Sequence, residues 1–403
     1  MKQLIITLAS LACWMLTGCV EDVTTRETEQ FVKIYGGSGD EQGNDVIQLN
    51  DGTTLMLGST TTTSTGELSN TSSIYLLWAD EKGDVFREVT IPSERNETGI
   101  ALLEIADDYL VVAESREQFA NKNDIRVIRI SATGEVMNSN IIGFTSFDEQ
   151  VGGVTALPDG GYLIVGTTEN ADSKEGVDPI EDVSDILLVR LSATDEIVWS
   201  EKFGFGGADE GNAVTLDNSG NIILAGTTSF QQGGRQGNNL VLYRINDSGL
   251  ETAVRIYGGD RDESVSRIYS RQGQFYIIGS IGTQTQSESA IWQFSQTLDS
   301  LRALTFSVVR NETGADMAFR NDGSYAVVSN GRFAGNGLDF SYVIVDPNGN
   351  VVPVSTFGAN GNDLATRIFM GNDGKVSLYG TVFFENRSKI TWIKPGYISE
   401  ATN

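Results

Sequence analysis

Histidine is absent from all 403 residues, which removes the commonest general base and the commonest transition-metal ligand. Cysteine is nearly absent: Cys13 and Cys19 both lie near the start, so the body of the chain has no disulfide and no thiolate chemistry. Such a chain must rely on its own core, and this length is enough to build one. Positive charge is scarce. Twenty-eight Lys and Arg face 54 Asp and Glu, giving a formal net charge of −26. An acidic surface of this kind repels nucleic acid and anionic lipid headgroups, and suits solubility, cation binding or a basic partner. Prolines number only six against 45 glycines, a balance that fits tight turns between strands rather than disorder.

What is present is a repeat. Seven copies of one pattern run along the chain, and a small residue closes the second apolar run of each: Gly58, Ala113, Gly166, Gly226, Gly279, Ser329 and Gly380. A period near fifty with short apolar runs and turn signals predicts an all-β, seven-bladed β-propeller of four-stranded blades. In the fourth copy the strands read Ala213–Leu216, Ile222–Gly226, Leu240–Ile245 and Ala253–Tyr257. Asp51-Gly52, Asp159-Gly160, Ser219-Gly220, Asp322-Gly323 and Asp373-Gly374 supply hairpin turns between the first two strands. Strand centres such as IILAG and LVLYRI are apolar on both faces, as stacked blades require. Phe31–Tyr35 matches a fourth strand and Ile390–Lys394 a third strand with no fourth after it, so the N-terminal strand is expected to complete the last blade.

The first 18 residues have a lysine, an apolar run from Leu4 to Met15 and a small-residue end, the layout of a signal peptide rather than a membrane span. Leu16-Thr17-Gly18-Cys19 resembles the lipobox of bacterial lipoproteins. The resemblance implies cleavage before Cys19, a lipid on its sulfur and an acyl chain on its new amine. Val20 stands where some lipoproteins carry the aspartate that retains them at the inner membrane, which favours an outer-membrane address; Glu21-Asp22 resembles the acidic surface-export tags of some Bacteroidota lipoproteins. The expected organisation is a signal peptide over 1–18, lipidated cysteine and polar tether over 19–30, propeller over 31–398 and a tail over 399–403, facing the periplasm or the cell surface.

Double glycine, Asp-Glu, a strand, Asp/Ser-Gly and a strand ending in Gly-Thr-Thr resembles the bacterial seven-bladed propeller repeat abbreviated SBBP, best in Gly206-Gly207-Ala208-Asp209-Glu210-Gly211. The resemblance spans about 31–394. It implies secreted or envelope proteins and no particular reaction.

Residues repeated in every blade are expected to hold the blade; unique ones are free for function. Asp40, Asp148, Asp209 and Asp262, each followed by Glu, and Asp363 precede the innermost strands. They read either as turn aspartates accepting amide hydrogens or as a cation-binding ring for Ca²⁺. Unique features gather in the loops between second and third strands, which open on the same face as the inter-blade connections. Loop 59–73 is rich in Ser and Thr; loop 167–185 holds Glu169, Asp172, Glu175, Asp178, Glu181, Asp182 and Asp185. Four loops pair arginine with phenylalanine: Arg116 and Phe119; Phe230 and Arg235; Arg332 and Phe333; Phe383, Phe384 and Arg387. Arginine and aromatic side chains dominate binding hot spots, whereas the alternative is a phenylalanine tucked under its own loop.

The sequence therefore reads as a monomeric, lipid-anchored envelope protein that binds a protein or glycan through its loop face, touches the membrane only by its lipid and takes no cofactor. It is expected not to be an enzyme, having no sialidase-type Ser-x-Asp-x-Gly-x-Thr-Trp box and no histidine. The alternatives are a carboxylate-dependent glycoside hydrolase or lyase and a calcium-stiffened structural surface protein.

Overall fold

A computed structural model describes residues 30–396 apart from 63–70, 119, 144–146, 170–182, 232–236, 284, 334–336 and 385. The described residues form 28 strands and no helix, grouped into seven four-stranded antiparallel sheets. Each sheet is one blade. Six are continuous in sequence, from Asp40–Ile91 in the first to Arg310–Phe357 in the sixth. The seventh joins Leu364–Met370, Val376–Phe384 and Arg387–Lys394 to the N-terminal strand Phe31–Tyr35, which pairs Phe31 with Lys394 and Tyr35 with Ile390. The ring is thus closed as its terminal strands required. Consecutive antiparallel strands put the tight hairpin turns on one face of the ring, the turn face. The second-to-third-strand loops and the inter-blade connections share the other, the loop face.

Seven buried apolar clusters make up the core, one at each blade–blade junction. Leu55, Leu57 and Trp78 of the first blade meet Val111, Ile128 and Ile130 of the second, for example. Both faces of a strand such as Ile222–Thr228 are buried throughout, because each sheet is sandwiched between two others.

The innermost strands begin earlier than the sequence pattern suggests. In the fourth blade the strand runs Asp209–Leu216 rather than from Ala213. The reason is a β-bulge between Gly211 and Ala213, and all seven inner strands carry one at the corresponding place. The extra residue breaks the alternation by which a strand is recognised. The bulge also explains the small closing residue: a Cβ on Gly226 would lie 2.2 Å from the carbonyl oxygen of Glu210. It leaves one backbone N–H for the preceding blade to satisfy. Ser59 accepts from Gly99 N at 3.1 Å, Thr167 from Gly211 N at 3.2 Å, and Thr381 from Gly43 N at 2.9 Å. The polar residue after the closing glycine is therefore an inter-blade tie.

Cations hold the outer rim. Arg87 donates to the Ala132 carbonyl at 2.8 Å, Arg302 to that of Pro347 at 2.6 Å, and Arg129 pairs with Asp195 at 2.6 Å, each reaching a turn of the next blade. Lys33 meets Asp84 at 2.7 Å across the junction of the seventh and first blades.

Candidate functional site

Each inner strand opens with one buried carboxyl: Glu41, Glu97, Glu149, Asp209, Glu263, Glu312 and Asp363, none more than 5% exposed. Glu41, Asp209, Glu312 and Asp363 accept hydrogen bonds from the incoming inter-blade connection. Glu41 takes the Gly37 amide at 3.1 Å, Asp209 that of Phe205 at 2.9 Å, and Glu312 those of Val308 and Val309 at 2.7 and 3.2 Å. Burial raises the pKa of Asp209 and Asp363, and pushes Glu263 up to about 7 against the pull of Arg261.

This corrects the sequence-level placement of the acidic pairs in two respects. Asp40, Asp209 and Asp262 lie inside the strand rather than before it, whereas Asp148 and Asp363 stand immediately before theirs, and in the first, third and fifth blades the buried member is the glutamate. Asp40, Asp148 and Asp262 sit one residue nearer the surface and accept the amides of Ser388, Asn123 and Asn238 at 3.1, 2.6 and 2.9 Å. Asp209 and Asp363 are the buried members themselves; Asp363 accepts from Ala359 and Phe383. Among the described residues no group of three or more metal-ligating side chains comes together.

The arginine–phenylalanine pairs separate into distinct environments. Phe230 stacks on Phe205 at 5.5 Å between ring centres, and Phe205 on Tyr243, so Phe230 belongs to a small aromatic column over its own blade. Phe384 is 40% exposed. It lines a groove of about 710 Å³ with Tyr35, Asn386, Arg387 and Lys389, where the closing strand meets the last blade. Arg387 is occupied there, donating to the Ser38 carbonyl. Arg116 and Arg332 are exposed and Phe333 half-buried. Phe119, Arg235, Cys19 and most of loops 59–73 and 167–185 lie outside the described residues, as do 1–29 and the tail.

Arginine is distributed unequally between the two faces. At the turn face Arg87, Arg129, Arg190 and Arg302 each bond a turn of the next blade, Arg320 pairs with Asp322 of its own turn, and Arg271 lies 4.5 Å over the Phe319 ring. At the loop face Arg95, Arg261 and Arg387 are engaged too, with Asp124, Glu288 and the Ser38 carbonyl, but Arg116, Arg310 and Arg332 make no ion pair or side-chain hydrogen bond among the described residues. Arg310 is missed by sequence reasoning because the inner strand it opens lacks the Gly-Gly and Asp-Glu signature of the clearest copies. Its partner emerges only from pairing: Arg310 and Arg332 face each other across the first two strands of the sixth blade.

A second charged group lines the inner strands. Arg367 of the seventh blade bridges Asp45 of the first at 2.7 Å and Asp316 of the sixth at 3.0 Å. Asp45 and Asp316 also accept the Leu102 and Ile368 amides of the next blade at 2.8 and 3.0 Å.

No family model matches the chain, and no curated protein does. Solved structures do. The phage phi92 endosialidase is similar with a TM-score of 0.50 at 9% identity, covering 93% of this chain and 70% of that one. The puromycin hydrolase structure gives 0.49 at 14%, covering 84% of this chain and 50% of that one, so the chain spans about half its length. The β-propeller domain of the Trilobed protease from Pyrococcus furiosus gives 0.47 at 10%, covering 88% and 93%. Identities this low establish a shared fold alone. They nevertheless correct the expectation that the chain is not an enzyme: the fold is one that an endosialidase also uses. The absence of a linear catalytic motif is weak ground on a propeller, whose loop face assembles side chains from several blades. Binding and enzymatic roles are both compatible with the fold.

Proposed function

We propose that the chain is a lipid-anchored binding module of the cell envelope that recognises a protein or glycan partner with its loop face. One observation carries the reading. Arginines at the turn face are engaged in structure, whereas Arg116, Arg310 and Arg332 at the loop face are exposed and unengaged among the described residues. An arginine held free on a strongly acidic chain serves something outside the chain, since an internal carboxylate is never far away. The Cys19 motif supports the anchor. SBBP-type repeats, inferred from the Asp-Glu and Gly-Thr-Thr signatures, supply the rigid frame.

The test is a pull-down from an envelope fraction with the mature protein. We expect a retained species that is lost when Arg116, Arg310 and Arg332 are all changed to Gln and kept when turn-face Lys82 is changed to Gln. Retention of the same species by all three proteins would refute the loop-face reading.

A further inference from the structure

We propose that Arg310 and Arg332 form a site for a single carboxylate on an otherwise neutral ligand, at the loop end of the sixth blade. The proposal deepens the loop-face reading and rests on it. The two residues are Cα partners in the antiparallel pair, which places their Cβ atoms about 5 Å apart. Like charges directly opposite each other destabilise a sheet. Neither arginine has a carboxylate partner among the described residues, and the adjoining segment 334–336, Ala-Gly-Asn, contains no acid.

The pair is also a departure from the sevenfold pattern. At the corresponding place the first blade has Asp40 opposite Thr61 and the fifth has Asp262 opposite Gly282. There the acid ties the preceding blade; in the sixth blade its charge is reversed and doubled. The backbone departs with it. A further bulge lies between Arg310 and Thr313, where no other inner strand has one, and Asn311 is held at φ 51°. Such a conformation is sparsely populated by non-glycine residues and persists only where its surroundings enforce it. Here they do: Glu312 accepts both the Val308 and Val309 amides, and Val309 seats against the bare backbone of Gly331, where a Cβ would lie 2.2 Å from its Cγ2. Arg310 and Arg332 therefore stand on a fixed frame.

Two guanidinium groups side by side present paired N–H donors that match the two oxygens of a carboxylate. The whole-chain charge of −26 selects the rest of the ligand. A polyanion is repelled before it arrives, whereas one singly charged group on a neutral body is not. A sugar acid and the C-terminus of a short peptide both offer that chemistry.

Isothermal titration with glucuronate and with an N-acetylated dipeptide distinguishes the two sources, with glucose and the C-terminally amidated dipeptide as uncharged controls. We expect the wild type to bind at least one of the two acids and neither control. Arg310→Gln or Arg332→Gln should each weaken binding at least tenfold, while turn-face Lys82→Gln leaves it unchanged. Without ligand, Arg332→Gln should melt above the wild type, because the opposed charge is gone. Failure of both acids to bind, undiminished binding by R332Q, or a lower melting temperature for that variant would overturn the site. If the partner of the pull-down is still retained by R310Q and R332Q, the carboxylate site falls while the loop-face reading stands.

Discussion

Glu263 shows how much a single repeated position can conceal. It occupies the same structural slot as Glu41 and Glu312, yet no amide hydrogen bond satisfies its Oε2, and burial raises its pKa from 4.5 to about 7. The proton is therefore held more tightly in the folded chain than in the unfolded one. Stability contributed by the protonated form is fully present below about pH 4.5 and is lost as pH rises through about 7. Glu263→Gln, which keeps the shape and removes the charge, is expected to raise the melting temperature at pH 8 and to leave it nearly unchanged at pH 5. Scanning calorimetry at the two pH values checks this; an equal shift at both would mean that titration of Glu263 is not involved. The recurrence of Asp-Glu pairs is legible in the sequence, but which member is buried is not. That choice follows from the register set by the bulge two residues later, and a bulge leaves no local signature beyond a small residue. The Gly-Thr-Thr endings are legible for the same reason in reverse, since the glycine accommodates the bulge carbonyl and the following hydroxyl satisfies the freed amide.

Among the elements, the closing blade is the one assembled from both ends of the chain, and two contacts tie it. At the rim Phe31–Tyr35 supplies its outer strand. At the inner strands Arg367 lies between Asp316 and Asp45 and so links the sixth, seventh and first blades. Both aspartates are almost completely buried, at 0% and 2%. Removing the guanidinium leaves two buried carboxylates without their cation. Arg367→Ala is expected to cost about 3–5 kcal/mol, read as a lower urea midpoint, whereas loss of an exposed rim pair such as Lys33–Asp84 costs about 0–1 kcal/mol. A small effect for R367A would show that the inner strands tolerate the bare aspartates. Strand closure was deducible from the sequence because the terminal segments match complementary strands of one repeat. The Asp45–Arg367–Asp316 bridge was not, because its members are separated by most of the chain and occur in only three blades. Arg310, and with it the pairing to Arg332, escaped for the same reason: which residues face each other at the ends of two strands is a property of register, which an apolar pattern does not encode.

For the whole molecule, strand direction fixes how an anchored propeller would be presented. Every fourth strand runs from the turn face to the loop face, and the N-terminal strand follows the same course, with Phe31 beside Lys394 and Tyr35 beside Ile390. The chain therefore enters the ring at the turn face. On the proposed anchor, a lipid on Cys19 joined to Phe31 through residues 20–30 would draw the turn face toward the bilayer and leave Arg116, Arg310 and Arg332 on the side away from it. The tether spans at most about 35–40 Å when extended, which restrains this orientation without making it rigid. The absence of cysteine after Cys19 makes the orientation measurable, since a new thiol can be labelled without interference from the body of the chain. With lipidated protein on neutral liposomes, a fluorophore on Lys82→Cys at the turn face is expected to be quenched by a bilayer-embedded quencher more strongly than one on Arg116→Cys at the loop face. Equal quenching would mean that the tether averages over both faces. Stronger quenching at position 116 would place the free arginines against the membrane, and the acidic envelope of the molecule would then have to be explained by a lipid surface rather than by a partner approaching from the opposite side.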